Sequence, residues 1–319
     1  MLAFVLRTVW KKLWTLFFVS VISFAVVYLA PGQPSQIDPM NPRVTPQQLE
    51  RYRKAFGLDQ PLRVQYVRFY TQLFTGELRS FKDNQPVLGK IIERTINSLP
   101  LFAVGTLLVW CYAFPFGIAT AVKRNTAFDR YTTVLVFALI SIPGFYLAYL
   151  AIIFVVDTFQ VDVIGLRTFG REGAGWLSAA MDRTWHLVLP SVLGAVAGIA
   201  VLSRYVRSQM LEVIGADFVR TARSKGLDED RVLYRHALRN GLLPFVTMLG
   251  LLVPGLIGGS VIFETIFAWP GIGRLGYEAI LSRDYPVVIA LNFVAAVLTL
   301  IGTLLSDLMY MLVDPRIRL

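Results

Sequence analysis

Six stretches of this chain contain no Asp, Glu, Lys or Arg: 13–37, 95–122, 131–156, 184–203, 240–263 and 285–306. A helix needs about 20 apolar residues to cross about 30 Å of hydrocarbon, and every stretch is long enough. With no water to satisfy the backbone, only helices and closed barrels span a membrane. The pattern predicts an all-α membrane protein with six transmembrane helices. The first stretch follows Arg7, Lys11 and Lys12, as a signal peptide would. Its apolar core, Leu13 to Ala30, is 18 residues, longer than the usual 7–15 or so. No small-x-small cleavage site follows, and Pro31-Gly32 reads as a helix stop, so the span is read as retained.

The polar connections have patterns of their own. In the loop 38–94, Thr45, Pro46 and Gln48 read as N-cap, first turn and capping partner. Gly57 reads as a stop. Val64, Tyr66, Val67, Tyr70, Leu73 and Phe74 keep a helical rhythm. This loop is expected to be a small folded module, either a cap packed on the spans or a docking surface for an outside partner. The stretch 204–239 divides at Gly226. Before it, Asp217 is placed to cap a short helix with Phe218, Val219 and Ala222 on one face. Gly226 supplies a left-handed stop, and Asp228 caps a second helix. The chain thus divides into 1–37, the N-terminus and first span; 38–94, the loop module; and 95–319, a five-helix core containing the stretch 204–239.

Composition agrees. Of 319 residues 55% are hydrophobic, and the mean hydropathy is +0.58, more than a soluble domain can cover with polar groups. The net charge of +10 reflects topology. With the N-terminus inside, sixteen Lys and Arg fall in inner segments, eight of them between 204 and 239. The two short outer loops hold five: Arg167, Arg171, Arg183, Arg274 and Arg283. The other ten lie in the long loop 38–94, and long loops constrain orientation little. Both termini are therefore expected in the cytoplasm, and the spread of charge over both sides argues against nucleic acid as a partner. Cys111 is alone, so no disulfide forms within the chain.

Catalytic chemistry is missing. There is no phosphate loop, no His-Glu-x-x-His and no Gly-x-Ser-x-Gly. His186 and His236 fall on opposite sides of the membrane and read as packing or interfacial residues, not metal ligands. The span interiors lack the ionisable groups with which ion-driven carriers relay charge. Glu264 sits at a span end, where it lines an outer gate, binds a cationic group or is simply solvated. Asp307 reads as a packing or pairing residue. The fifth span is interrupted by Pro254, Gly255, Gly258 and Gly259, and such breaks suit close packing or a helix that lines a pathway. Pro254, Gly258, Glu264, Trp269, Pro270 and Gly271 are the candidate gate and pathway residues. Trp269-Pro270-Gly271 forms a turn at the depth that Trp favours.

Several segments together resemble one family. Phe218 to Leu227, then Arg235-His236-Ala237-Leu238-Arg239-Asn240 and Leu243-Pro244, resemble the coupling loop of peptide/nickel ABC-importer permeases. Ala30-Pro31-Gly32, Phe56 to Pro61, Phe263 to Phe267, Pro270 to Gly273, Arg283-Asp284-Tyr285 and Asp314 to Arg318 agree in order along the chain. The set is most similar to the oligopeptide and dipeptide permeases. The resemblance implies a type I importer permease in the bacterial inner membrane. Its implied partners are a second permease, two ATP-binding subunits carrying ATP and Mg²⁺, and an extracytoplasmic binding protein. The chain itself would bind no cofactor and catalyse nothing. The family's Glu-Ala-Ala-x-x-x-Gly loop corresponds to Arg220, Thr221, Ala222 and Gly226, so no glutamate role passes to Arg220. Asp217, Arg220, Thr221, Ala222, Lys225, Gly226 and Leu227 are the implied ATPase-coupling residues. Nickel chelates, glutathione or a sugar are alternative cargoes; a secondary carrier and a membrane-embedded enzyme are rivals from other classes.

Overall fold

A computed structural model describes residues 2–29, 45, 47, 50–51, 54, 57–170, 175–250, 252, 255 and 260–313. The elements are α1 (Leu2–Leu29), α2 (Leu62–Thr75), α3 (Val87–Val122), α4 (Ala127–Ser141), α5 (Gly144–Phe159), α6 (Trp176–Ile214) and α7 (Asp217–Ser224). A π-helical segment, Arg231–Ala237, then leads into α8 (Leu238–Gly241), α9 (Leu243–Gly250), α10 (Val261–Ile266), α11 (Ile272–Leu281) and α12 (Tyr285–Val313). Among the described residues the only β pairing is one isolated bridge, Arg79 with Pro86.

Among the described residues four helices are long and apolar enough to cross a membrane: those over Arg7–Leu29, Val87–Val122, Trp176–Ile214 and Tyr285–Leu308. The third apolar stretch is not one rod. It is the pair α4 and α5, bent by 90° at Ile142-Pro143. The ring of Pro143 pushes Ile142 out of the helical region, to φ −84° and ψ 121°. Parts of the fifth stretch, Pro254 and Gly258 among them, lie outside the described residues, as do Pro46, Gln48 and the tail from Asp314.

α3 and α6, with 36 and 39 residues, are each more than about 50 Å long and form the central pair. A Cβ on Gly117 would stand 2.6 Å from both Ser203 O and Val206 Cβ, so the two backbones touch there. This small-residue contact is how helices associate in lipid. α1 lies beside α12, where Lys12 donates to Thr303 Oγ1 at 2.5 Å and reaches Asp307 Oδ2 at 4.0 Å. Asp307 is thus a pairing residue.

The loop module does not stand apart. Phe69, Tyr70 and Leu73 of α2 and Leu78 share one core with Phe24 of α1, Val87 and Ile91 of α3, and Ile272, Leu275 and Tyr285. The boundary drawn at 94–95 falls inside α3, which is continuous from Val87. The rhythm read in α2 also splits into two faces. Tyr66, Phe69, Tyr70 and Leu73 turn inward, while Val64, Val67 and Phe74 are exposed.

Candidate functional site

α7 starts where α6 ends. The carbonyl of Ala216 accepts the amides of Val219 at 3.0 Å and Arg220 at 3.2 Å. The cap position belongs to Ala216, not Asp217, and no side chain caps the helix. Asp217 instead occupies the first turn, where its charge suits the dipole. It stands 3.4 Å from Arg220 Nη1, with both groups exposed, so the pair adds little. Thr221 and Ser224 return hydroxyl bonds to the carbonyls four residues back, at 2.9 and 3.0 Å.

Val219 and Ala222 are buried, and with Val232 and Ala237 of the π segment they extend the core of α3 and α6 around Ala113, Ala121, Val206 and Met210. Leu227 packs on the same core. Phe218, expected on that face, is 45% exposed. Adjacent helical positions diverge by about 100°, and Val219 takes the inward direction.

Gly226 has φ +74°, and its amide donates to Arg223 O at 2.9 Å. Nothing lies within 4 Å of an added Cβ there, so the constraint on this position is conformational, not steric. Across this turn Arg223 grips Glu229 with two hydrogen bonds, 3.1 and 2.6 Å. The Arg223 hydrogen bond holds Glu229 below the ordinary carboxylate range, against a small opposing effect of burial. Asp228 Oδ2 accepts the amide of Asp230 at 3.2 Å, the capping expected of it. The result is a closed bracket, 217–230, rooted by Val219 and Ala222. It presents Phe218, Arg220, Thr221 and Lys225 outward. The Arg223–Glu229 clasp escaped sequence reasoning, although opposite charges flanking a glycine stop were its signal. The π segment had no signal.

The second candidate region, 260–284, is a buried knot. Ser260 Oγ accepts the amide of Phe263 and caps α10. Glu264, expected at a solvated span end, is fully buried. Its Oε1 accepts Ser98 Oγ at 2.8 Å and its Oε2 accepts the amide of Arg274 at 2.8 Å. Ser98 Oγ in turn accepts the amide of Ile272 at 2.8 Å. Glu264 therefore caps the start of α11 jointly with Ser98 of α3. Gly271 lies against it: an added Cβ would come within 2.3 Å of the Glu264 carboxyl carbon, which explains the glycine.

Trp269 corrects another expectation. It is not an interfacial anchor but fully buried, with Nε1 donating to Asn97 O at 2.8 Å. Asn97 also donates to Pro270 O at 3.3 Å and accepts from Arg183 Nη2 at 3.0 Å. Asp284 ties the knot to the loop module, accepting Ser80 Oγ at 2.5 Å and the amide of Phe81 at 2.9 Å. Beside Glu264 a cavity of about 310 Å³ opens between α3 and α6, lined by Ser98, Gly105, Thr106, Ser191 and Phe263. His186 is buried, with Nδ1 2.9 Å from Asp182 O, and it joins neither region. Among the described residues no three His, Cys, Asp or Glu side chains group as a metal site requires.

Long apolar helices, a third stretch broken before Pro143 and a bracket mounted at the end of α6 define a multi-pass membrane permease. The family described as "Binding-protein-dependent transport system inner membrane component" matches residues 113–319, and its N-terminal counterpart matches 1–102. The chain belongs to that family. It is 36% identical, over 99% of each chain, to the oligopeptide transport system permease protein AppB of Bacillus subtilis. It is 32% identical to the dipeptide transport system permease protein DppB of Alkalihalophilus pseudofirmus, over the whole of both chains. The glutathione transport system permease protein GsiC of Salmonella paratyphi A is 35% identical over 100% of this chain and 99% of its own. Among solved structures, an inward-facing MetNI methionine ABC transporter chain shares the fold. Its TM-score is 0.54 at 19% identity, covering 72% of this chain and 99% of that one.

Proposed function

We propose that this chain is a non-catalytic permease subunit of an ATP-driven importer of oligopeptides or dipeptides. It works beside a second permease, two ATP-binding subunits that hold ATP and Mg²⁺, and an external binding protein that delivers the peptide. The observation that carries the reading is the bracket 217–230. Its polar outer edge is free for a partner, and its inner edge is part of the α3–α6 core. A subunit pressing on Arg220, Thr221 and Lys225 would move Val219 and Ala222, and with them the ends of the two longest helices. Packed cores shift between discrete arrangements and do not deform smoothly, so such a push can switch the pathway between its two open states.

The lysine and arginine count supports placing the bracket and both termini in the cytoplasm. The knot 260–284 then lies on the outer side. There Glu264, Trp269, Pro270 and Gly271 hold the rim of the pathway, and the loop module faces the binding protein. Glutathione is the second reading, favoured by the 35% identity to a permease named for it. The assembled transporter in proteoliposomes, with its cognate binding protein, tests both. Uptake of labelled di- and oligopeptides should require internal ATP and survive collapse of pH and sodium gradients. Competition by glutathione and not by peptides would replace the cargo; uptake driven by a gradient alone would overturn the importer reading.

A further inference from the structure

A cavity of about 520 Å³ with both polar and apolar walls opens between α3, α4 and α6, away from both regions above. Its wall carries Arg204, Arg207, Thr132, Thr133, Tyr205 and Ser208, and no described lining residue is acidic. Arg207 is already engaged, forked onto Asp129 at 3.1 and 3.0 Å. Arg204 differs. Among the described residues it has no ion pair; its guanidinium carbon rests 4.5 Å from the centre of the Phe137 ring. The side chain is exposed, yet the surface around it is apolar, with Val201, Phe137, Val134 and Tyr131 all exposed. Lys123, Arg124 and Arg130 stand exposed on the adjoining turn and the start of α4.

An unpaired cation and several hydroxyls behind an apolar rim suit one chemistry: an anionic phosphate group that arrives attached to hydrocarbon. Depth agrees. Arg204 directly follows the charge-free stretch 184–203. On the orientation proposed above, on which this inference rests, that is the level where headgroups of the cytoplasmic leaflet begin. Basic pockets between helices on that side hold anionic headgroups, and a guanidinium stacked on an aromatic face keeps its donors directed at the anion. We infer that this cavity binds the phosphodiester of an anionic phospholipid. Arg204 is the cation that takes the phosphate, Thr133 and Ser208 are hydroxyl donors, and the acyl chains lie on the exposed face of α4. A bound lipid would wedge α4 against α6 on the same helix pair that carries the bracket.

The test uses the whole transporter complex, as wild type and with Arg204→Lys or Arg204→Ala. Each is held in detergent doped with phosphatidylglycerol or phosphatidylcholine, and bound lipid is read by native mass spectrometry. Wild type and Arg204→Lys should retain phosphatidylglycerol over phosphatidylcholine, with Arg204→Ala about fivefold weaker, the effect of one basic residue at an anionic surface. Millimolar inorganic phosphate should not displace the lipid; displacement would make this a free-anion site and overturn the lipid assignment. Equal retention by Arg204→Ala, or equal retention of the two lipids by wild type, would overturn the site. So would unchanged lipid binding with altered uptake of acidic relative to neutral peptides, which would place Arg204 on the substrate path. If Arg204→Ala fails to assemble, the Thr133→Val, Ser208→Ala double variant decides: weakened phosphatidylglycerol retention supports the site and unchanged retention overturns it. Lipid retention is read without transport, so a wrong cargo leaves it standing; a wrong orientation is detected separately by labelling at Gln47, argued below.

Discussion

Arg223 closes on Glu229 across the turn at Gly226, with Nε and Nη2 at 3.1 and 2.6 Å from the two carboxylate oxygens. Six residues apart, they turn a short exposed helix and the segment after it into one body. Helices as short as α7, with 8 residues, do not persist alone in water. This one is held by Val219 and Ala222 below and by the clasp at its end.

Gly226→Val should uncouple the transporter. The backbone at φ +74° rejects a β-branched residue, at a cost of about 1–3 kcal/mol, and the bracket would reopen to relieve it. ATP hydrolysis by the assembled complex should continue while uptake falls by tenfold or so, about 1.4 kcal/mol of lost coupling. Gly226→Asn, which tolerates the left-handed region, should stay near wild type. Normal uptake by a correctly inserted Gly226→Val protein would refute the coupling role.

The clasp should titrate at acid pH. Glu229 is held below its ordinary value of 4.5 by Arg223, so its contribution is complete above that pH. It is lost as the pH falls through the depressed value. Because the pair is largely exposed, its loss should cost under about 1 kcal/mol. Hydrogen exchange over 217–230, corrected for the intrinsic rate, should stay constant from neutral pH to about 4.5 and quicken below it. Glu229→Gln should exchange faster at neutral pH and lose the acid step; an identical profile would show the clasp to be idle.

Glu264→Ala should loosen the knot. It would strip Ser98 and the Arg274 amide of their buried acceptor, and each such orphan costs about 1–3 kcal/mol. Gly271→Ala should do comparable harm from the other side, by driving a methyl into the same carboxylate. The thermal midpoint of the detergent-solubilised complex, followed by size exclusion, should drop several degrees for both. A knot tolerant of both changes would refute the capping role of Glu264.

Orientation has a direct check. Gln47 is exposed in the segment assigned to the outside. Gln47→Cys in a Cys111→Ala background should react with an impermeant maleimide on spheroplasts. Labelling only after lysis would reverse the topology, and with it the placement of the bracket.

Much of this protein is written in local pattern. Six charge-free stretches set where helices can cross, because burying a charge in hydrocarbon is costly. Gly226 acts through its own backbone and Asp228 through a side-chain bond to the amide two residues on, so their roles were legible from neighbours in sequence. Glu264 was not: its partner Ser98 lies 166 positions away, and Ser98 in turn takes the amide of Ile272 across 174 positions, and no periodicity encodes such a meeting. The same holds for Trp269, whose buried indole donates to the carbonyl of Asn97, 172 positions away. Phe218 and Val219 are equally apolar, and only the position of the α3–α6 core decides which one turns inward. Pro143 marked a break, but not the angle of 90° between α4 and α5. Composition and spacing determine which segments are helical and apolar. Tertiary structure decides which side chain each helix face meets, because that choice is made by packing between segments far apart in the chain.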